Sequence, residues 1–246
     1  LKCQLLKDKN LYKKKMYGRK FNSDYYYRHL NIQDSKEIWS VGLSDQEISK
    51  LDLSWNIFLS NHNYLSSLNY YIMKIFKRNF VVNNFFYSNP LKKRPNDFFI
   101  KFSYQNYYPT IGWQRKKILE IFKINSPKKL NKFSYFNLMK NSKYCISPFG
   151  WGEIAIRDFE SFVNGCILIK PDMSHIVTWP NFFIANQTYI PLEWDLLNFE
   201  NNIDYFRENY TSFVNIASEA QKIYKLQTKA SESGKYFVKK IKDLIS

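Results

Sequence analysis

Cysteine is scarce in this chain, and long apolar runs are missing from it. The three cysteines (Cys3, Cys145 and Cys166) are odd in number and include no CxxC pair, which argues against a disulfide framework and a zinc site. No apolar run approaches the roughly 18 residues that a membrane-spanning helix requires. The first residues, LKCQLLKDKN, lack the apolar core of a secretory signal. These absences predict a soluble protein of the cytoplasm.

Acidic residues are in the minority, and the excess of basic residues is unevenly distributed. The chain has a formal net charge of +16. Residues 91–143 contain 13 basic and 2 acidic residues, whereas residues 145–204 contain 2 basic and 8 acidic residues. This asymmetry predicts a cationic surface beside a nearly anionic segment. Nucleic acid, a phosphorylated ligand or an anionic membrane would each suit the cationic surface, and a solvated lysine-rich face of biased composition is the alternative.

Short apolar runs alternate with helical patterns from residue 97 onward. Three runs, DFFIKFS, KYCISP and CILIKP, are typical of buried strands, and TYIPLEWD predicts one more. Helices are predicted over 111–122, 132–142 and 152–165, and the chain beyond residue 198 is predicted to be mostly helical. The alternation predicts an α/β fold, with a parallel sheet that helices cover on both sides.

A proline-containing stretch, SNPLKKRPND over residues 88–97, is predicted to be a linker. It divides the chain into a short N-terminal region, residues 1–90, and an α/β domain, residues 91–246. Within the N-terminal region, NYYIMKIF predicts a helix and NFVVNNFFY a strand.

The stretch SPFGWGEIAIRDFE places two glycines between a predicted strand and a predicted helix. Gly150 and Gly152 allow backbone conformations and close approaches that a Cβ would prevent. Free amides at a helix start attract phosphate, and ligands of open α/β sheets bind beyond the carboxyl ends of strands. Neither a P-loop nor a GxGxxG fingerprint is present.

Polar residues form one narrow stripe along the helix that follows this loop. At about 100° per residue, Glu153, Arg157, Glu160 and Asn164 lie close together on the face away from the predicted core. Arg157 is suited to a bidentate contact with a diphosphate, and Glu160 to the hydroxyl groups of a ribose. The alternative is an exposed helix face stabilised by salt bridges between residues three and four apart.

The string SPFGWGEIAIRDFE…GCILIKPDMSHIVTWP resembles the donor-binding half of GT-B glycosyltransferases, and more closely a bacterial group associated with surface polysaccharide synthesis. The resemblance covers mainly residues 97–200. Its core, ESFVNGCILI, is similar to the family stretch E-A-hydrophobic-x-x-G-x-P-hydrophobic-I. The resemblance implies a GT-B-like protein with a Rossmann-like donor-binding domain over residues 91–246 and an acceptor-side part over residues 1–90. It also implies transfer of a sugar from a nucleotide-diphosphate sugar to a glycan or lipid-linked acceptor, without metal or cofactor.

Site residues follow from the resemblance by position. It implies that Glu160 binds the donor ribose and Arg157 the diphosphate, while Gly150, Gly152 and Glu153 shape the donor-sugar pocket. Two features depart from the family. Six residues separate Glu153 from Glu160, whereas the family pair is spaced E-x7-E. The N-terminal region is also short for an acceptor half.

Further donor-binding candidates lie outside the helix. These are Arg115, Lys116, Lys170 and His175. Lys170 ends a predicted strand, where it could neutralise a phosphate, and His175 lies in the next loop with Asp172, where either could contact sugar hydroxyls. The alternative is that Asp172 and Ser174 only organise a turn. One histidine and one aspartate lack a third metal ligand at suitable spacing, so no metal site is predicted.

The catalytic residue is left open by the sequence. A transfer that inverts the anomeric configuration requires a general base near the acceptor hydroxyl, and a retaining transfer does not. The candidate bases all lie in the N-terminal region: Asp24, His29, Asp45, Glu47 and His62.

Two other functions compete with this interpretation. A nucleic-acid-binding module would suit the basic, aromatic-rich composition. However, the aromatic residues lie in runs typical of a core and no RNP, KH or helix-turn-helix signature is present, so nucleic acid is not the expected partner. A catalytically silent donor-like domain fits the short N-terminal region. A lipid-linked acceptor would place the chain peripherally at the inner face of an anionic membrane.

Overall fold

The computed structural model describes residues 2–18, 20–56, 87–105, 108–125, 127–228 and 230–245. The candidate base His62, the helix predicted over NYYIMKIF and most of the strand predicted over NFVVNNFFY lie outside the described residues. The strands are β1 (Gln4–Leu6), β2 (Asn96–Phe99), β3 (Ser142–Ile146), β4 (Ile167–Pro171), β5 (Ile176–Thr178) and β6 (Ile190–Leu192). The helices are α1 (Phe21–Leu30), α2 (Asp45–Ser49), α3 (Pro109–Ile121), α4 (Lys132–Lys140), α5 (Ile156–Asn164), α6 (Ile203–Glu208), α7 (Tyr210–Gln227) and α8 (Ala230–Ile245).

Four strands form a parallel sheet in the order β2-β3-β4-β6. The register places Phe98 opposite Tyr144 and Cys145 opposite Leu168. Because side chains alternate along a strand, Tyr144 packs in a core cluster with α3 and α7, whereas Cys145 packs against Met139 of α4 on the other face. The α/β class is confirmed, and a parallel sheet flanked by helices is compatible with a Rossmann-like domain.

Element boundaries differ from the predictions at the ends of several elements. The strand predicted over residues 97–103 ends at Phe99, and TYIPLEWD forms only the three-residue β6. The helix predicted to begin at Gly152 begins at Ile156, so Glu153 precedes it. The predicted placement of Glu153 on the helical stripe is therefore wrong.

The segment predicted as a linker is packed against the sheet. Arg94 is 3% exposed, and it donates hydrogen bonds to the carbonyl oxygens of Lys140, Ser142 and Asn164 at 2.6, 3.1 and 2.8 Å. These carbonyls lie at the ends of α4 and α5 and the start of β3. A buried guanidinium with several acceptors fixes this segment to the amino edge of the sheet.

The N-terminal residues contact the α/β part at the opposite edge, where the parallel strands end. β1 pairs antiparallel with β5, with Leu5 opposite Val177. The side chain of Asp34 accepts two hydrogen bonds of 2.8 Å, from the N–H and the hydroxyl of Thr110 at the start of α3. Described residues of the N-terminal region therefore contact the edge at which ligands of such sheets bind. None of the described helices has both the length and the apolar character needed to cross a membrane.

Candidate functional site

The glycine loop, residues 147–155, joins the end of β3 to the start of α5. The helix start is fixed by Asp158, which accepts a hydrogen bond of 2.9 Å from the N–H of Ala155. The helix ends at Gly165, whose φ of +66° requires glycine because a left-handed residue with a Cβ is strained. The loop thus lies at the carboxyl edge of the sheet, directly before a helix N-terminus.

The two loop glycines differ in their surroundings. A Cβ at Gly150 would lie 2.5 Å from Nη2 of Arg115, so glycine is needed for the approach of that side chain. A Cβ at Gly152 would meet no heavy atom of the described residues within 4 Å. The close approach predicted for both glycines therefore occurs within the chain only at Gly150, and Gly152 borders open space.

One buried ion pair fixes the loop to the sheet. We call Ser147, Asp158 and Lys170 the lysine cluster. Nζ of Lys170 lies 3.0 Å from Oδ2 of Asp158, and both side chains are 0% exposed. The hydroxyl of Ser147 donates to the same carboxylate at 2.5 Å, and Lys170 also donates to the backbone carbonyl of Glu153. Burial lowers the pKa of Lys170, although the charge of Asp158 opposes this shift.

These contacts correct the expectation for Lys170. Its ammonium was predicted to face a ligand phosphate at the strand end. It is instead enclosed by protein and neutralised by Asp158, because the chain turns back over it at Glu153. Lys170 positions the glycine loop.

A second polar group lies on α5 beside the end of β2. We call Arg157, Glu160 and Tyr135 the arginine cluster. Nη2 of Arg157 donates to the carbonyl oxygen of Lys101 at 2.9 Å, and the guanidinium carbon lies 5.3 Å from the ring centre of Phe102. Nε and Nη1 of Arg157 are buried and have no hydrogen-bond partner among the described residues. An anion placed here would satisfy donors that are otherwise costly to bury.

Glu160 is bound by a tyrosine of the neighbouring helix. The hydroxyl of Tyr135, on α4, donates to Oε2 of Glu160 at 2.8 Å. Burial raises the pKa of Glu160, although Tyr135 and Arg157 act in the opposite direction. Asn164, predicted on the same exposed stripe, is 1% exposed. Asn164 is thus buried and Arg157 and Glu160 are half-buried, so the alternative of an exposed salt-bridged face does not hold.

A cavity of about 420 Å³ lies next to the arginine cluster, at the carboxyl end of β2. We call it the basic cavity. Its lining includes Lys101, Phe102, Tyr104, Lys128, Lys129 and Tyr135. Lys101, Phe102 and Tyr135 also contact Arg157 or Glu160 directly, so the cavity adjoins the cluster, although neither Arg157 nor Glu160 lines it. Cationic and aromatic side chains at one opening suit a phosphorylated, ring-containing ligand.

The two candidates on α3 lie on different sides of that helix. Arg115 is 8% exposed, and it donates to the carbonyl oxygens of Phe149 and Ser103 at 2.9 and 3.1 Å. Arg115 therefore supports the glycine loop through its hydrogen bond to the carbonyl oxygen of Phe149. Lys116 is exposed and lies 3.9 Å from Glu120 on the outer face of the helix. The structure therefore does not bring Lys116 to the glycine loop.

Glu153 and His175 lie together on the other side of the glycine loop. Glu153 is 5% exposed and accepts a hydrogen bond of 2.5 Å from Nε2 of Gln4. Nε2 of His175 lies 3.9 Å from Oε1 of Glu153, and neither ring nitrogen of His175 has a hydrogen-bond partner among the described residues. Burial raises the pKa of Glu153, but His175 and Gln4 outweigh burial and hold the pKa below its ordinary value. The aromatic rings of Phe21 and Trp194 enclose His175 at centroid distances of 5.4 and 4.7 Å.

A second cavity, of about 640 Å³, lies beside Glu153, and most of the residues that line it belong to the N-terminal region. We call it the N-terminal cavity. Its lining includes Gln4, Lys14, Lys20, Phe21, Gly152 and Glu153. Gln4 and Phe21 were not among the residues predicted from the sequence. Their contacts join parts of the chain that are far apart in sequence, and neither residue lies in a motif that marks a site.

Asp172 has the structural role that the sequence allowed as an alternative. Its carboxylate accepts hydrogen bonds from the N–H and the hydroxyl of Ser174, and one of 3.3 Å from the hydroxyl of Tyr189. These bonds organise the turn between β4 and β5. The imidazole of His175 is the group from this loop that reaches Glu153.

Two of the predicted bases are engaged in local hydrogen bonds. Asp24 accepts bonds of 2.7 Å from the N–H of Tyr17 and from Nε of Arg28. Glu47 forms a capping box with Ser44 at the start of α2. These hydrogen bonds stabilise local structure in the N-terminal region, so both carboxylates have a structural role there.

The other two described bases lie at the surface. Asp45 is exposed and forms an ion pair of 2.6 Å with Lys13. His29 is exposed and packs on the ring of Tyr25 at a centroid distance of 4.5 Å. None of Asp24, His29, Asp45 and Glu47 lines the N-terminal cavity or the basic cavity.

Comparison with known proteins adds no assignment. No family model and no curated protein matches this chain. In the part of the chain that the structure describes, no three His, Cys, Asp or Glu side chains converge as a potential metal site.

Proposed function

We propose that this chain is a glycosyltransferase of the GT-B type, which transfers a sugar from a nucleotide-diphosphate sugar to a hydroxyl of a glycan or lipid-linked acceptor in surface polysaccharide synthesis. The observation that carries the proposal is the buried guanidinium of Arg157. Two of its nitrogens have no partner among the described residues, and it lies at the start of a helix that follows a glycine loop. A diphosphate is the partner that this arrangement suits best.

The chemistry of sugar transfer explains why such a guanidinium is useful. As the bond between the sugar and the diphosphate breaks, negative charge grows on the departing oxygen. Nε and Nη1 of Arg157 would donate to it, and the positive end of the α5 dipole would add to the stabilisation. Because the bond from Nη2 to Lys101 already fixes the guanidinium, little side-chain entropy would be lost on binding.

The remainder of the donor would extend into the basic cavity. The carboxyl group of Glu160, held by Tyr135, would accept hydrogen bonds from the ribose hydroxyls. The rings of Tyr104 and Tyr135 provide apolar surface for a nucleobase in a cavity of about 420 Å³. This assignment retains the roles that the resemblance implies for Arg157 and Glu160.

Calorimetric titration of the protein with UDP, GDP, CDP and ADP would test the proposal. We expect one nucleoside diphosphate to bind preferentially, and Arg157→Gln to weaken it at least about tenfold, or about 1.4 kcal/mol. Glu160→Ala should weaken it as well, through the lost ribose contacts. The matched control is Arg207→Gln, which removes an arginine that pairs with Asp204 on the surface. Control and wild type should bind equally.

Two results would count against this function. If none of the four nucleotides binds, the donor site is not present. If Arg157→Gln and Arg207→Gln bind the nucleotide equally well, Arg157 is not the diphosphate ligand. Tight binding without sugar transfer would favour the alternative of a catalytically silent donor-like domain.

A further inference from the structure

We propose that the N-terminal cavity is the acceptor site and that Glu153 is its general base, with His175 as a positioning residue. The inference rests on the proposed function, because it names the group that takes the proton in that reaction. It moves the base from the N-terminal candidates of the sequence to the glycine loop.

Glu153 lies beside the N-terminal cavity, where a general base for the acceptor is needed. Its side chain lines a cavity of about 640 Å³, and it is the one acidic residue among the described residues that line it. The neighbouring Gly152 also lines the cavity, and a Cβ there would meet no heavy atom of the described residues within 4 Å beyond its chain neighbours. An acceptor hydroxyl entering this cavity could therefore approach the glycine loop closely.

Neighbouring residues hold Glu153 in a fixed position. Gln4 binds one carboxylate oxygen at 2.5 Å, and Lys170 holds the backbone carbonyl of the same residue. Despite burial, His175 and Gln4 hold the pKa of Glu153 below its ordinary value, which favours the ionised carboxylate but makes it a weaker base, so its fixed position is what equips it to accept the proton. A base held from both its side chain and its backbone is positioned before the acceptor arrives.

His175 lies next to the carboxylate of Glu153 but does not line the N-terminal cavity. Its Nε2 is 3.9 Å from Oε1 of Glu153, and the ring of Phe21, which lines the cavity, stacks over it at 5.4 Å. Neither nitrogen has another hydrogen-bond partner in the described part of the chain. A small closure of this distance would let His175 bind Oε1, so that both carboxylate oxygens would be held in place, Oε2 by Gln4.

The reaction step is balanced without any further reactant. The acceptor oxygen bonds to the anomeric carbon while its proton passes to the carboxylate of Glu153. The bond between the anomeric carbon and the diphosphate oxygen breaks, and its electron pair leaves with the diphosphate toward Arg157. Attack and departure occur on opposite faces, so the transferred sugar has inverted configuration.

The test measures hydrolysis of nucleotide sugars by the full chain, with water in place of the acceptor. The sugars tested are those that contain the nucleoside diphosphate found to bind in the calorimetric titration. Glu153→Gln should lower kcat for nucleotide release about 100-fold while the Kd of the nucleotide changes less than about twofold. His175→Gln should lower kcat about tenfold with the same unchanged Kd. NMR of the released sugar, recorded before it equilibrates, should show the inverted anomer. Glu200→Gln is the matched surface control and should behave as wild type.

If Glu153→Gln does not fold, Glu153→Asp is the second variant, because it keeps the negative charge and moves the carboxylate back by one methylene group. We expect kcat of Glu153→Asp to fall about tenfold. Three results would each overturn the inference. These are a kcat equal to that of wild type in either Glu153 variant, release of the sugar with retained configuration, and no turnover by a wild-type chain that binds the nucleotide. Equal losses of kcat and nucleotide affinity would instead place Glu153 in the donor site. Failure of nucleotide binding by wild type would reject the proposed function itself.

Discussion

The lysine cluster and the arginine cluster contain the same kinds of groups, yet they differ in how completely these groups are bonded. In the first, Lys170 binds Asp158 and a carbonyl, and Asp158 binds a hydroxyl and an amide in addition. In the second, Arg157 has one bonded nitrogen and two without partners. A fully bonded buried charge stabilises a fold in one conformation, whereas a partly bonded one has capacity left for a ligand. The difference supports the proposal that the lysine cluster is structural and that the arginine cluster binds a ligand.

The largest expected effect comes from breaking the lysine cluster. Asp158→Ala would leave the ammonium of Lys170 buried without its counter-charge, at 0% exposure. We expect the free energy of unfolding to fall by about 3–5 kcal/mol, since an uncompensated buried charge is strongly destabilising. Urea unfolding followed by circular dichroism measures the change.

The matched control for this substitution is Asp204→Ala. Asp204 pairs with Arg207 at 2.6 Å, but its side chain is 79% exposed. Exposed pairs contribute at most about 1 kcal/mol, so the control should unfold nearly as the wild type does. Equal losses in the two variants would show that burial of the lysine cluster does not matter for stability.

A smaller effect is expected when the arginine cluster is broken. Arg157→Met replaces a guanidinium having two unsatisfied donors with an apolar chain, at the expense of one bond to Lys101. We expect the free energy of unfolding to change by less than about 1 kcal/mol, because the loss of a hydrogen bond and the removal of a costly buried charge oppose each other. The same urea experiment measures it. A loss as large as that of Asp158→Ala would mean that Arg157 is structural.

Local patterns in the sequence were sufficient to predict the framework of the site. Apolar strands, the glycine loop and the helix with its terminal glycine all depend on residues close together in the chain. Gly165 ends α5 as predicted, because only its left-handed backbone is needed to stop the helix. The start was predicted four residues too early, because a side chain, Asp158, fixes it at Ala155. Helical periodicity contains no information about that bond.

Contacts between distant residues were not predictable in the same way. Glu153 and Gln4 are 149 residues apart, and neither residue alone indicates the other. The burial of Lys170 depends on Asp158, which the helical stripe did not include. The stripe itself was expected to face solvent, and α4 covers it through Tyr135. Amphipathic spacing shows which residues share a face, but it does not show what packs on that face.

The smallest expected effect is a pH dependence of opposite sign for the two glutamates. Burial raises the pKa of Glu160 above the ordinary 4.5, so the folded state keeps a proton that the unfolded state has released. Its contribution to stability is therefore lost as the pH rises above 4.5, and Glu160→Gln should gain on wild type there. Glu153 has a lowered pKa, so its contribution is present above 4.5 and lost as the pH falls through its folded value. Urea midpoints measured on both sides of that pH should diverge in opposite directions for Glu160→Gln and Glu153→Gln. Parallel curves would show that the two carboxylates have equivalent surroundings.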